Sequence, residues 1–175
     1  MDCKVAKLDP STGKIVTQSA WLTIGGRGIT LGAGSIWVGE LNNKIQKINP
    51  STLTTVGSFA APGTETCGLA FDGTYLWIIE EYQYKVHKVT TSGTGVGSVP
   101  VPKGYRTGLA WESSGLWTNT APYVISHYNP SGTVTATVTL TGLPAGDQIY
   151  DIAIGGGKLY VTTLKSDTIY VYKWP

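Results

Sequence analysis

A tryptophan returns at 40-residue intervals. Trp37, Trp77 and Trp117 hold the same place in "GSIWVGE" (34–40), "TYLWIIE" (74–80) and "SGLWTNT" (114–120). A fourth version, "GKLYVTT" (157–163), puts Tyr160 there. Each is preceded by a shorter apolar segment: "GITL" (28–31), "GLAF" (68–71), "GLAW" (108–111) and "DIAI" (151–154). Each is followed by a third: "KIQKIN" (44–49), "KVHKVT" (85–90), "VISHYN" (124–129) and "TIYVYK" (168–173). In the first three units a turn such as "NPST" or "NPSG" leads into a fourth: 53–59, 95–101 and 133–140. Short alternating runs rich in aromatic and β-branched residues, bounded by Gly, Pro, Asn and Ser, read as strands. With no convincing 3.6-residue periodicity anywhere, the chain is all-β.

Four short strands per repeat of about 40 residues is the signature of a propeller blade, a small sheet that cannot bury both faces alone. The expectation is a small β-propeller of four blades, each of about four antiparallel strands, in one domain over 1–175. The repeats lie near 28–59, 68–101, 108–140 and 151–173. Residues 4–18, "KVAKLDPSTGKIVTQ", match 44–58 at an offset of 40 and supply a third and a fourth strand. The C-terminus supplies a first, second and third. Pairing of 14–18 with 169–172 would close the ring with strands from both termini. It leaves 4–8 as a surplus edge strand, a template for homo-oligomer formation.

The pattern "[IL]W-V/I … K-I-x-K-I-[ND]-P-S" resembles the repeats of the YVTN, NHL and virginiamycin B lyase-like propellers. The resemblance runs over nearly the whole chain and implies the fold. These families include lyases, lactonases, binding proteins and surface proteins, so it leaves the activity open. The lyase-like members use histidines and acids near the axis. Here His87 and His127 fall in third strands, far out on their blades.

Composition narrows the classes. Net charge is +2 and only 14% of residues are charged, with the 13 Lys and Arg scattered. A nucleic-acid binder concentrates its basic residues on one face, so nucleic acid is not an expected partner. No apolar run is long enough to span a bilayer as a helix, and no secretory signal is visible in "MDCKVAKLDPST". The Thr- and Gly-rich, charge-poor composition is compatible with an extracellular or virion surface. Cys3 and Cys67 read as unpaired thiols.

The repeated Trp residues read as packing between blades. Without a third His, Cys or carboxylate at ligand spacing, the two histidines do not make a metal site, and no cofactor motif is present. The richer surface is the mouth, where fourth-to-first and second-to-third connections emerge together. It gathers Arg27, Glu40, Glu80, Glu81, Tyr82, Tyr105, Arg106, Tyr123, Gln148, Tyr150 and Asp151. Mixed charge with tyrosine matches recognition surfaces. The expected function is a non-catalytic module binding a protein or carbohydrate ligand at this mouth. The alternatives are a lyase- or lactonase-type enzyme and a structural surface component. Asp151, standing where the other repeats have Gly28, Gly68 and Gly108, is expected near the axis, accepting hydrogen bonds from Arg106, Arg27 or backbone N–H groups. The opposite face, made of tight turns, is expected to be plain.

Overall fold

The computed structural model describes residues 3–22, 25–80, 83–101 and 107–175. Among them are seventeen strands and no helix. Blade 1 is β3 (Gly26–Gly32), β4 (Ser35–Glu40), β5 (Lys44–Ile48) and β6 (Thr55–Ala60). Blade 2 is β7 (Thr66–Phe71), β8 (Leu76–Glu80), β9 (Lys85–Val89) and β10 (Gly95–Pro100). Blade 3 is β11 (Leu109–Glu112), β12 (Gly115–Ala121), β13 (Val124–Tyr128) and β14 (Val134–Thr139). Blade 4 has three strands, β15 (Ile149–Gly155), β16 (Lys158–Thr163) and β17 (Ile169–Lys173). Each is a simple antiparallel meander in chain order. The four sheets are arranged as a four-bladed β-propeller.

The outer turns are set by side chains that fold back onto the backbone. Asn49 Oδ1 accepts the N–H groups of Ser51 (2.8 Å) and Thr52 (3.1 Å). Asn129 Oδ1 does the same for Ser131 (3.1 Å) and Thr133 (3.0 Å). These Asx turns replace the ladder bonds that the chain gives up in reversing direction.

Alternation then sorts each blade into a front face, toward the next blade, and a rear face. Trp37 is fully enclosed and packs with Leu69, Leu76, Ile78 and Val89 of blade 2. Trp77 packs with Leu109, Leu116 and Tyr128 of blade 3. Trp117 packs with Ile152, Leu159, Val161 and Trp174 of blade 4. The Trp residues are therefore the interblade core, as their periodicity predicts. Tyr160 takes the same front-facing place in blade 4 and is half-buried.

The inner strands touch through glycine. A Cβ on Gly68 would lie 2.7 Å from Leu109 N and from Thr107 O. One on Gly108 would lie 2.7 Å from Ile152 N and 2.9 Å from the Asp151 Cα. No side chain fits where two backbones approach this closely.

The expected closure between the termini is not made. β2 (Ile15–Gln18) pairs with β1 (Ala6–Leu8), and β17 pairs with β16 alone among the described residues. The β1–β2 hairpin buries Val5 and Leu22 against Val38, Ile48 and Leu53, on the rear face of blade 1. It behaves as the third and fourth strands of a further blade set before blade 1. The physical reason is local. A hairpin with a tight Asp9 turn closes a far shorter loop than a pairing between residues 14–18 and 169–172 would. β3 packs on β7, β7 on β11 and β11 on β15, with no comparable packing of β15 on β3 among the described residues.

Candidate functional site

The second strands end at the mouth, and their last residues differ from the expectation in one respect. Glu40 and Glu80 are buried, at 0% and 1% exposure. They do not reach out of the mouth because each follows its strand's alternation onto the rear face. Thr66 pairs with Glu80 and Leu69 with Ile78, so Glu80 shares a face with Ile78. Gln46 Nε2 donates to Glu40 Oε1 at 2.5 Å. The equivalent neighbour of Glu80 is His87, whose Nε2 lies 3.8 Å from Glu80 Oε1. In blade 3 the pair becomes Thr120 and Ser126, with hydroxyls 3.0 Å apart.

Blade 4 fills this place differently. Thr163 stands at the Glu position and donates its hydroxyl to Asp147 Oδ2 at 2.6 Å. Asp147 also accepts the backbone N–H groups of Gln148 (2.8 Å) and Lys165 (3.0 Å). Burial works to raise its pKa, but these hydrogen bonds outweigh it and hold the carboxylate below its ordinary value. Asp147 thus braces the connections of blade 4, whereas Glu40 and Glu80 meet Gln46 and His87 on the neighbouring strands of their own blades.

The other mouth candidates are partly engaged as well. Arg27 is half-buried; its Nη1 donates to Cys67 Sγ at 3.2 Å and stands 3.7 Å from Glu65. Neither cysteine is in a disulfide. The Tyr123 hydroxyl donates to Pro144 O (3.1 Å) and accepts from Gly146 N (2.8 Å), fixing the turn before blade 4. Gln148 and Tyr150 are half-buried, and the Tyr150 carbonyl accepts the Thr107 hydroxyl. Glu81, Tyr82, Tyr105 and Arg106 lie outside the described residues.

Asp151 sits at the inner end of β15, against the Gly108 backbone. Its Oδ1 accepts the Ile152 N–H at 2.8 Å. Burial pushes its pKa up to about 8, against backbone hydrogen bonds from Ile152 and Leu109 that favour the anion. The carboxyl is therefore largely protonated at neutral pH and can donate a hydrogen bond as well as accept one. Of the partners expected for it, Asp151 meets backbone N–H groups; Arg27 is turned toward Cys67 and Glu65, and Arg106 lies outside the described residues.

Asn119 was not among the expected site residues, yet it ties blade 3 to blade 4. It is fully buried; its Oδ1 accepts from Thr107 N (3.1 Å) and Gly108 N (3.0 Å), and its Nδ2 donates to Ile149 O (3.1 Å). The signal was a polar residue at a front-facing place that holds Gly39 and Ile79 in the first two blades.

Residues of the four inner strands, the terminal hairpin and the outer part of blade 1 line a cavity of about 630 Å³. Its wall is Ile29, Leu31, Leu69, Phe71, Leu109, Trp111 and their neighbours, with Lys7 as its one titratable side chain among the described residues. No group of three His, Cys, Asp or Glu that could hold a metal ion occurs among the described residues.

No protein-family model matches the chain, and the comparison with curated proteins finds no match. Solved structures do match in shape. Glutaminyl cyclase from Myxococcus xanthus superposes with a TM-score of 0.73 at 14% identity, over 85% of this chain and 65% of the cyclase. A catalytically inactive virginiamycin B lyase from Staphylococcus aureus, solved with quinupristin, gives 0.58 at 21% identity, over 98% of this chain and 62% of the lyase. The computationally designed Ika4 protein gives 0.54 at 11% identity, over 88% of this chain and 94% of the design. The chain thus spans less than two thirds of either enzyme. At these identities the likeness shows a shared β-propeller fold.

Proposed function

We propose that the chain is a non-catalytic binding module whose inner strands receive a protein ligand. The observation that carries this reading is the wall of this cavity, which is largely apolar and has Lys7 as its one titratable side chain among the described residues. General acid–base work needs a titratable group within hydrogen-bond reach of the reacting atoms. The strand-end acids Glu40, Glu80 and Asp147 are buried and do not line this cavity. An apolar wall suits the side chain of a protein segment better than a sugar. Arg27, Gln148, Tyr150 and Asp151 do not line this cavity, and in this reading they would offer polar contacts to backbone groups of such a segment at the mouth.

A second reading, a lyase- or cyclase-type enzyme, draws support from two points. The two natural proteins of similar shape described above are enzymes, and Asp151 holds a carboxyl whose pKa lies near neutrality. Such a group suits a general acid.

Selection from a random peptide library against the full chain separates the two. Binding peptides that share one large apolar residue, and that lose affinity at least tenfold against Leu31→Glu, support the module. Leu31 lines the cavity and is 67% exposed, so the variant should fold. Turnover of quinupristin or of an N-terminal glutaminyl peptide, abolished by Asp151→Asn, would replace this reading with the enzymatic one.

A further inference from the structure

The face expected to be plain carries a departure from the repeat. In blade 1 the Trp37 indole N–H donates to Gly32 O at 2.9 Å. In blade 2 the Trp77 N–H donates to Asp72 Oδ2 at 2.8 Å. Residues 32, 72 and 112 hold the same place at the end of the first strand. In blade 3 that place is Glu112, one methylene longer than Asp72, and its carboxylate is turned to the hydroxyl of Ser113. Trp117 is 7% exposed, and its Nε1 has no hydrogen-bond partner among the described residues. Where the acceptor stands in the other two blades, blade 3 has a cleft of about 250 Å³.

A buried indole N–H without an acceptor forfeits about 1–3 kcal/mol, which a ligand oxygen in that place would recover. The cleft is lined by Glu112, Ser113, Trp117, His127, Trp174 and Pro175. Trp174 meets Trp117 edge-on, with centroids 4.9 Å apart. His127 lies 5.0 Å from Trp117 on another side. The His127 Nδ1 is held by the Thr135 hydroxyl, which lies 3.4 Å from the His127 carbonyl and donates to it. The His127 Nε2 is buried and has no hydrogen-bond partner among the described residues.

We infer that this cleft, between blades 3 and 4, binds a neutral hydroxyl-bearing ligand, a single sugar ring. Its inventory is the Trp117 donor, carboxylate acceptors at Glu112, the His127 Nε2 and aromatic surface. A sugar hydroxyl accepts from the indole while another donates to the carboxylate, and the C–H face of the ring lies on the aromatic side chains. An anion would meet Glu112. A cation would leave the Trp117 N–H unpaired. The site lies away from the mouth residues and does not depend on what they bind.

The test is a titration of the ¹⁵N-labelled full chain, reading the six Trp indole N–H resonances. The probes are the methyl glycosides of glucose, galactose, mannose and N-acetylglucosamine, with tetramethylammonium as the cationic rival. The expected result is a saturable shift of the Trp117 resonance with at least one glycoside. Trp117→Phe, which keeps an aromatic ring and removes the donor, should weaken that glycoside about tenfold, read on the indole resonance of Trp174 in the same cleft. Trp77→Phe should leave its affinity unchanged. If Trp117→Phe does not fold, Glu112→Lys at the cleft rim carries the same test, with the same tenfold loss. Three results would overturn the inference: no glycoside moves the resonance; tetramethylammonium alone moves it; or Glu112→Ala shifts it in the free protein as loss of a carboxylate bond would, showing that Glu112 closes the cleft itself.

Discussion

Glu80 and His87 face each other across 3.8 Å on the rear face of blade 2, with Glu80 buried and His87 partly so. Burial dominates the behaviour of the carboxyl and raises its pKa; His87, the Thr64 backbone and Lys85 oppose that rise. An acid with a raised folded-state pKa contributes stability below its unfolded value, and that contribution is lost as pH rises through the folded value. Removing the charge should therefore help at neutral pH. Glu80→Gln is expected to raise the unfolding midpoint at pH 7 and to lose that advantage below about 4.5, the ordinary glutamate value. Thermal melts of both proteins across this range give the answer, and an advantage independent of pH would show that the charge is not its source.

Gly63 tests the same site sterically. A Cβ there would overlap the Glu80 carboxylate. Gly63→Ala must expel either the loop or the buried Glu80 side chain, and overpacking of this kind costs about 1–3 kcal/mol. The double variant Gly63→Ala with Glu80→Ala should recover much of the loss. Denaturant melts of the two singles and the double measure the coupling.

The blades were legible because the period is long and each copy repeats the same alternation. Trp37, Trp77 and Trp117 announced their interblade role by recurrence alone. Glu40 and Glu80 were harder. A charged residue before a loop looks like a loop residue, although its parity with Val38 and Ile78 already assigned it to a buried face. The terminal hairpin was legible as third and fourth strands, but a repeat match names a strand's rank within a blade and not its partner. Trp117 and Glu112 show the same limit. Glu for Asp at a repeated place reads as conservative, yet the extra methylene lets the carboxylate turn to Ser113 and leaves the indole unpaired.

Asp151 gives a second pH signature. Its carboxyl is raised to about 8 from 3.8 by burial. The sign is the same as for Glu80: stability is fully present below about 3.8 and is lost as pH rises through about 8. Asp151→Asn should match the parent at low pH and become progressively more stable than it toward pH 8. The difference between the two melting curves isolates this group from Asp72 and Asp147, whose lowered values act in the opposite direction. Parallel curves would mean that Asp151 is solvated in solution.

The inner-strand glycines should be intolerant of any side chain. Gly68→Ala would place a Cβ 2.7 Å from two backbone atoms of the next blade, neither of which can rotate away. The expected loss is about 1–3 kcal/mol or more. Gly57, with nothing within 4 Å of its Cβ position, is the control and should accept Ala within about 0.5 kcal/mol.

The front face of blade 4 should make the 175-residue chain self-associate. In blades 1 to 3 the front-facing tryptophans are covered by the following blade, at 0%, 2% and 7% exposure. In blade 4 the corresponding surface is Ala153, Tyr160, Ile169 and Val171, and the last two are 47% and 53% exposed. The same blade has three strands, so β17 presents an outer edge with no partner among the described residues. An apolar face beside an open strand edge is what sheet proteins otherwise protect with charge or cover. The rear face of blade 1 cannot cover it from within the chain, because the β1–β2 hairpin already occupies that place. A second copy can, by meeting it face to face across a two-fold axis. Light scattering on the purified chain should therefore show a concentration-dependent dimer. Ile169→Lys with Val171→Lys puts two like charges on each side of that contact and should return the chain to a monomer. Its melting temperature, extrapolated to low concentration, should stay near that of the parent. A parent that remains monomeric at high concentration would show that this face is tolerated in water.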